Sequence, residues 1–282
     1  MSLQNQSGDI CPVGVFDSGI GGLSVLKEIH QLLPHENLIY VGDSAHAPYG
    51  DRSGRYVRSR SLAIAEFLLD QGVKAIVIAC NTATAEAATQ LRATLDVPVI
   101  GLEPAIKPAA QLSKSGVIGV LATQRTIDSE RLLGLTERYA NDKKVLAQAC
   151  PGLVEQVEDY ALNDAKTMQL LHGYIDPLLD QGMDALILGC THYPFLLPAI
   201  RQITGDKIDI LETGKPVAQQ LKRILQHDDL ENLSFTNRQN LQDKPRLSFY
   251  NSSQHPKQRS IMQKLWRHAH TSPITLLDLP RL

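Results

Sequence analysis

The chain has 282 residues, 43% of them hydrophobic and 21% charged, with 28 Lys and Arg against 30 Asp and Glu for a net charge of −2. This length predicts about two domains, and the composition excludes a disordered or fibrous chain. The charge balance argues against a dedicated nucleic-acid binder, and no run reaches the ~18 continuous apolar residues of a membrane helix.

The opening MSLQNQSGDI has no basic start followed by an apolar run, so no secretory leader is expected and the expected compartment is the cytoplasm. Short apolar runs then alternate with amphipathic stretches, the pattern of βαβ units with a parallel sheet. In chain order the reading is strand 13–16, helix 22–33, strand 38–41, helix 59–71, strand 75–79, helix 84–95 and strand 98–101. It continues with strand 117–121, helix 127–139, strand 145–147, helix 167–181, strand 185–188, helix 194–203, strand 208–211, helix 216–226 and strand 247–250. Residues 227–245 read as a loop. The locally basic stretch 255–270 reads as a solvated helix face.

The chain repeats itself. Residues 70–82 (DQGVKAIVIACNT) and 180–192 (DQGMDALILGCTH) share five of thirteen positions, and four more exchange one apolar residue for another. A repeat of this length suits two similar α/β domains rather than a solenoid. Ligands of open α/β folds bind beyond the C-terminal ends of the strands, and the polar motifs fall there. In VGVFDSGIGGLS (13–24), Asp17 and Ser18 end a strand. The glycine loop after them lacks G-x-G-x-x-G, yet its N–H groups can bind an anion. Asp17 can accept from an ammonium group, orient an acid, or merely cap the turn. In GDSAHAPYGDRSG (42–54), Pro48, Tyr49 and Gly50 form a turn that either holds a carboxylate or is a plain surface turn. His35 and His46 are expected to face solvent.

Four cysteines, Cys11, Cys80, Cys150 and Cys190, form no CxxC pair and are expected to be free thiols. Cys11 and Cys150 read as structural. Cys80 and Cys190 each separate a strand end from a helix start, where the helix N-terminus favours thiolate. Singly, each fits an inert core residue. As a matched pair across one cleft, they suit deprotonation of a carbon from one face and reprotonation from the other. Asn81, Thr82 and Thr191 follow the two cysteines. His192 stands beside Cys190, where it can set the protonation state of the thiol. Thr123 and Thr126 follow a strand and either line the cleft or cap a helix. Glu155, Glu158 and Asp159 lie on a predicted helix, where most such residues are solvated. No P-loop, HExxH or GxSxG is present, and no lysine stands out for a Schiff base, so a reaction without cofactor or metal is expected.

The pieces FDSGIGGLSVL (16–26), YVGDSAHAPYG (40–50), IACNTAT (78–84), GVLATQRTI (119–127) and ILGCTHYPFL (187–196), in this order, resemble the bacterial glutamate racemases of the aspartate/glutamate racemase superfamily. The resemblance implies an α/β fold of two similar domains with mostly parallel sheets, related by pseudo-two-fold symmetry, with the active site in the cleft between them. It assigns 1–104 plus 214–282 to the first domain, carrying Cys80, and 105–213 to the second, carrying Cys190. It implies cofactor-independent interconversion of L- and D-glutamate, with D-glutamate passing to peptidoglycan. Cys80 would take the α-proton of D-glutamate and Cys190 that of L-glutamate, assisted by Asp17 and by His192 with Glu158. Ser18, Pro48, Tyr49, Gly50, Asn81, Thr82 and Thr191 match substrate-binding positions, as do Asp17 and His192, with Thr123 and Thr126 as weaker contacts. Glu155 stands where the family commonly has proline, and Glu212-Thr213 departs from its usual pattern. A homodimer is expected. Alternatives are an aspartate or other amino-acid racemase, and a non-catalytic relative that binds DNA gyrase, for which the sequence offers no support.

Overall fold

The computed structural model describes residues 11–232, 246–266 and 274–276. The strands are β1 (Val13–Asp17), β2 (Leu38–Gly42), β3 (Ala75–Ile78), β4 (Val99–Gly101), β5 (Val117–Ala122), β6 (Lys144–Ala149), β7 (Ala185–Leu188), β8 (Asp209–Leu211), β9 (Leu247–Asn251) and β10 (Ile274–Leu276). They form two sheets, ordered β10-β9-β2-β1-β3-β4 and β6-β5-β7-β8, and every pairing is parallel. The fold is therefore α/β with two parallel sheets. Every residue of β1, β2, β3 and β7 is buried, as strands covered by helices on both faces must be.

The internal repeat is a repeat of topology. The block β2-β1-β3-β4 has the same order as β6-β5-β7-β8. Cys80 follows β3 and Cys190 follows β7, the equivalent strands. After β8 the chain returns to the first sheet. Helix Gly214–His227 buries Val217, Ala218, Leu221 and Leu225 in one core cluster with Leu23, Val25, Leu26 and Ile29 of helix Leu23–Leu32, and β9 pairs with β2.

Several elements differ from the sequence reading. The predicted helix 127–139 is two helices, Gln124–Ile127 and Glu130–Tyr139. Each has its own cap, because Thr123 accepts from the Thr126 N–H and Ser129 from the Leu132 N–H. The predicted helix 194–203 opens with a 3₁₀ turn, Tyr193–Leu196, before helix Leu197–Thr204. Strand β10 was not predicted. The basic tail is more than a solvated face. Helix Pro256–Leu265 buries Ile261 and Met262, and Trp266 follows them into the first core. Residues 267–270 of that stretch lie outside the described residues, as do 233–245 of the predicted loop. Among the described residues no helix is long and apolar enough to cross a membrane.

Candidate active site

Strand β1 ends on Asp17, and the turn after it is folded around carboxylates. The Asp17 side chain is fully buried and accepts from the Gly22 N–H at 2.7 Å and from Thr191 Oγ1 at 3.4 Å. Glu158, from helix Leu153–Glu158, accepts from the Ile20 N–H at 2.7 Å through Oε1. The glycine loop does bind anions, and both are carboxylates of the chain itself. Its glycines leave room for the other half of the molecule. A Cβ on Gly19 would strike the Glu158 carboxylate, and one on Gly21 would strike the His192 ring.

Cys80 is the N-cap of helix Asn81–Thr94. Its Sγ accepts from the Ala83 N–H at 3.4 Å and donates to Ser18 Oγ at 3.7 Å. The cap does not make a ready thiolate as the sequence suggested. Burial pushes the Cys80 thiol far up, the Asp17 carboxylate adds to the rise, and the Ala83 N–H offsets only part of it. Cys190 precedes a 3₁₀ turn rather than a full α-helix, and its neighbour is a ring. Cys190 Sγ lies 3.7 Å from His192 Nδ1, and His192 Nε2 lies 2.8 Å from Glu158 Oε1. Burial alone would lower the imidazole, but its hydrogen bonds with Cys190 and Glu158 and their charges outweigh burial and hold it well above the ordinary value. For Asp17, burial outweighs the lowering effects of His192 and the Gly22 N–H, so its carboxyl is raised.

The Pro48–Tyr49–Gly50 turn is anchored from below. The Tyr49 hydroxyl donates to Asp43 Oδ2 at 2.6 Å, and Arg60 Nε and Nη2 donate to the same carboxylate at 2.9 and 2.8 Å. Thr82, Thr123 and Thr126 form a ring of hydroxyls, 3.0 to 3.3 Å apart, that joins the helix after β3 to the loop after β5.

Both thiols line one small, narrow cavity. Its wall is Ser18, Pro48, Tyr49, Gly50, Cys80, Asn81, Thr82, Thr123, Val154, Gly189, Cys190, Thr191 and His192. Both polar atoms of the Asn81 side chain are buried with no partner among the described residues, so they are available to a ligand. The amino-acid sequence matches the Asp/Glu/hydantoin racemase family over residues 13–221. The chain belongs to this racemase family. It is 55% identical to the glutamate racemase of Ectopseudomonas mendocina over 219 residues, 77% of this chain and 83% of that one. The structure of Bacillus anthracis glutamate racemase isoform RacE1 superimposes with a TM-score of 0.81 at 34% identity, covering 97% of this chain and 98% of the other. Francisella tularensis glutamate racemase in complex with D-glutamate gives a TM-score of 0.81 at 29% identity, covering 96% and 98%.

Three of the residues singled out in the racemase sequence stand behind the wall rather than on it: Asp17, Thr126 and Glu158. Thr123 both lines the cavity and caps its helix. Glu155 and Asp159 are exposed, as most acidic helix residues are. His35 is exposed as expected, but His46 is half-buried and its Nδ1 meets the Tyr56 hydroxyl at 2.5 Å. Cys150 is buried and lines a neighbouring cavity of about 120 Å³ beside Thr123 and Val154. Val154 and Gly189 were missed. Gly189 had a signal, because it stands where Ala79 stands in the first repeat. Val154 had none, since an apolar residue on a short helix reads as core. Among the described residues no group of three or more His, Cys, Asp or Glu is placed to hold a metal ion.

Proposed function

We propose that this racemase interconverts L- and D-glutamate with two thiols and no cofactor. The observation that carries the reading is that Cys80 and Cys190, equivalent in the repeat, line the same small cavity. The named relatives are glutamate racemases, and one of them is described in complex with D-glutamate.

An amino-acid α-carbon beside a carboxylate is a weak acid. The site must stabilise charge that develops there with donors fixed beforehand in a water-poor cavity. Asn81, Thr82, Thr191 and Ser18 supply those donors. In the L-to-D direction Cys190, as thiolate paired with the His192 imidazolium, takes the α-proton, and the Cys80 thiol delivers its own proton to the opposite face. The D-to-L direction reverses both roles. Asp17 lies on the far side of Ser18 from Cys80 and acts through it. The buried Tyr49 hydroxyl, held by Asp43, fixes the turn against which the distal carboxylate rests. In this reading residues 1–104 with 214–282 form the domain bearing Cys80, and residues 105–213 the domain bearing Cys190. The enzyme works in the cytoplasm as a homodimer and supplies D-glutamate for peptidoglycan.

The test is circular dichroism of glutamate solutions with Cys80→Ser and Cys190→Ser. General acid–base groups contribute about 10²- to 10⁴-fold, so each variant is expected to lose at least that much racemisation. Near-normal racemisation by either variant overturns the reading. Faster turnover of L-aspartate than of L-glutamate overturns the substrate assignment.

A further inference from the structure

The cavity that the two thiols share has a volume of about 10 Å³, room for about one water. An amino acid therefore reaches the thiols only if a wall parts. Pro48, Gly50, Thr123 and Val154 form the partition between this cavity and the outer one of about 120 Å³ beside Cys150. Asp51, Gln124 and Glu155 line the outer cavity and are exposed, so it reaches the surface. Within the partition Gly50 lies against Thr123, because a Cβ on the glycine would come within 2.7 Å of the threonine Cβ. Thr123 is held there by polar contacts to the helix after β3. Thr82 Oγ1 lies 3.0 Å from Thr123 Oγ1 and 3.3 Å from Thr126 Oγ1. One turn further along that helix, Glu86 Oε1 accepts from Arg125 Nη1 at 3.1 Å. A Cβ on Gly54 would strike the Glu86 carboxylate, so Glu86 is also seated against the helix that follows the Pro48–Gly50 turn.

We propose that the Glu86–Arg125 pair is a latch on the segment Thr123–Thr126, and that its release joins the thiol cavity to the outer cavity and passes substrate in and product out. That glutamate is the passenger rests on the two-thiol reading; the latch rests on the contacts alone. These contacts break without stranding a group. Thr123 and Thr126 keep each other at 3.0 Å, and Glu86 keeps Arg58, whose Nη1 donates to Oε2 at 2.8 Å. Arg125 gains a partner on release. Its Nε is buried with no partner among the described residues, while the side chain is 31% exposed, so water reaches the guanidinium as the pair separates. The Glu86 side chain is 17% exposed, so the pair is neither dry nor free in solvent, and salt weakens it. A latch of this kind closes the cavity without locking it.

The two thiols report the state of the latch. Iodoacetamide, a neutral reagent, is too large for the closed cavity and alkylates them only when the wall parts. The test follows alkylation of each cysteine in the ligand-free enzyme by peptide mass spectrometry. Arg125→Met keeps the bulk and removes the charge. It is expected to raise the rates at Cys80 and Cys190 by about two- to fivefold, the range of a partly exposed ion pair. The rate at Cys11, which precedes the opposite end of β1, is expected to stay unchanged. Raising sodium chloride from about 50 to about 500 mM is expected to bring the wild-type rates toward those of the variant and leave the variant's own rates unchanged. Unchanged rates at both thiols in a folded Arg125→Met, or an equal rise at Cys11, overturn the proposal. If Arg125→Met does not fold, wild-type rates at Cys80 and Cys190 that do not rise with salt overturn it. Alkylation is read without turnover, so a failed latch leaves the two-thiol reading standing, and an active Cys80→Ser would overturn that reading while leaving the latch in place.

Discussion

The glycines of the Asp17–Gly22 turn decide how closely the His192 ring and the Glu158 carboxylate approach it. Because a Cβ on Gly21 meets the ring itself, Gly21→Ala must displace His192 from Cys190. Its expected kcat loss is on the order of 10²-fold, the lower range for a displaced acid–base group. The dichroism assay reads the loss, and a melting curve checks that the variant folds. The protonation of His192 also leaves a signature in stability. Its folded-state value lies well above the ordinary 6.5, so protonation stabilises the fold fully below pH 6.5. That contribution is lost as pH rises through the raised folded-state value. Melting temperatures of wild type and His192→Gln are therefore expected to converge as pH is raised from 6.5 toward alkaline values. A gap that widens with pH would contradict the assignment.

At the scale of elements, the turn bearing Pro48, Tyr49 and Gly50 depends on helix Gly54–Asp70, whose Arg60 is 1% exposed and grips Asp43 with two nitrogens. Removing one partner of a buried pair leaves the other charge unpaired. Arg60→Met is thus expected to cost about 3–5 kcal/mol in urea unfolding, and Tyr49→Phe, which removes a single donor, about 1–2 kcal/mol. This anchor was not legible in the sequence, where Arg60 sits among polar residues and only the tertiary fold turns it inward. The central strands β1, β2, β3 and β7 were legible, because parallel strands covered on both faces are plain apolar runs, whereas β10 was not read. The two cysteine loops were legible as well, because the repeat put them at matching strand ends. The break at Asp128–Ser129 was not read, since two capped helices in tandem share one hydrophobic period. Nor was the burial of Ile261, Met262 and Trp266, which their basic neighbours disguised. The helix bearing Glu158 was read correctly, but not that its carboxylate reaches across to the Ile20 N–H, a contact 138 residues away in sequence.

At the scale of the whole molecule, two sheets of the same strand order each deliver one cysteine to a shared cavity, with Ser18, Asn81, Thr82 and Thr191 in its wall. A ligand that bridges the halves should stabilise the native state by mass action, about 2.7 kcal/mol at a hundred times its dissociation constant. Melting temperature is accordingly expected to rise with D- or L-glutamate and to rise less with L-aspartate at equal concentration. The most direct test of the two-thiol account is single turnover in deuterated water, started separately from L- and from D-glutamate, with mass spectrometry of both enantiomers at early conversion. The account predicts one deuterium at Cα of the inverted product from either start, with the unreacted substrate still protiated. Deuterium entering recovered substrate as fast as product, or product that keeps its original α-hydrogen, would contradict it.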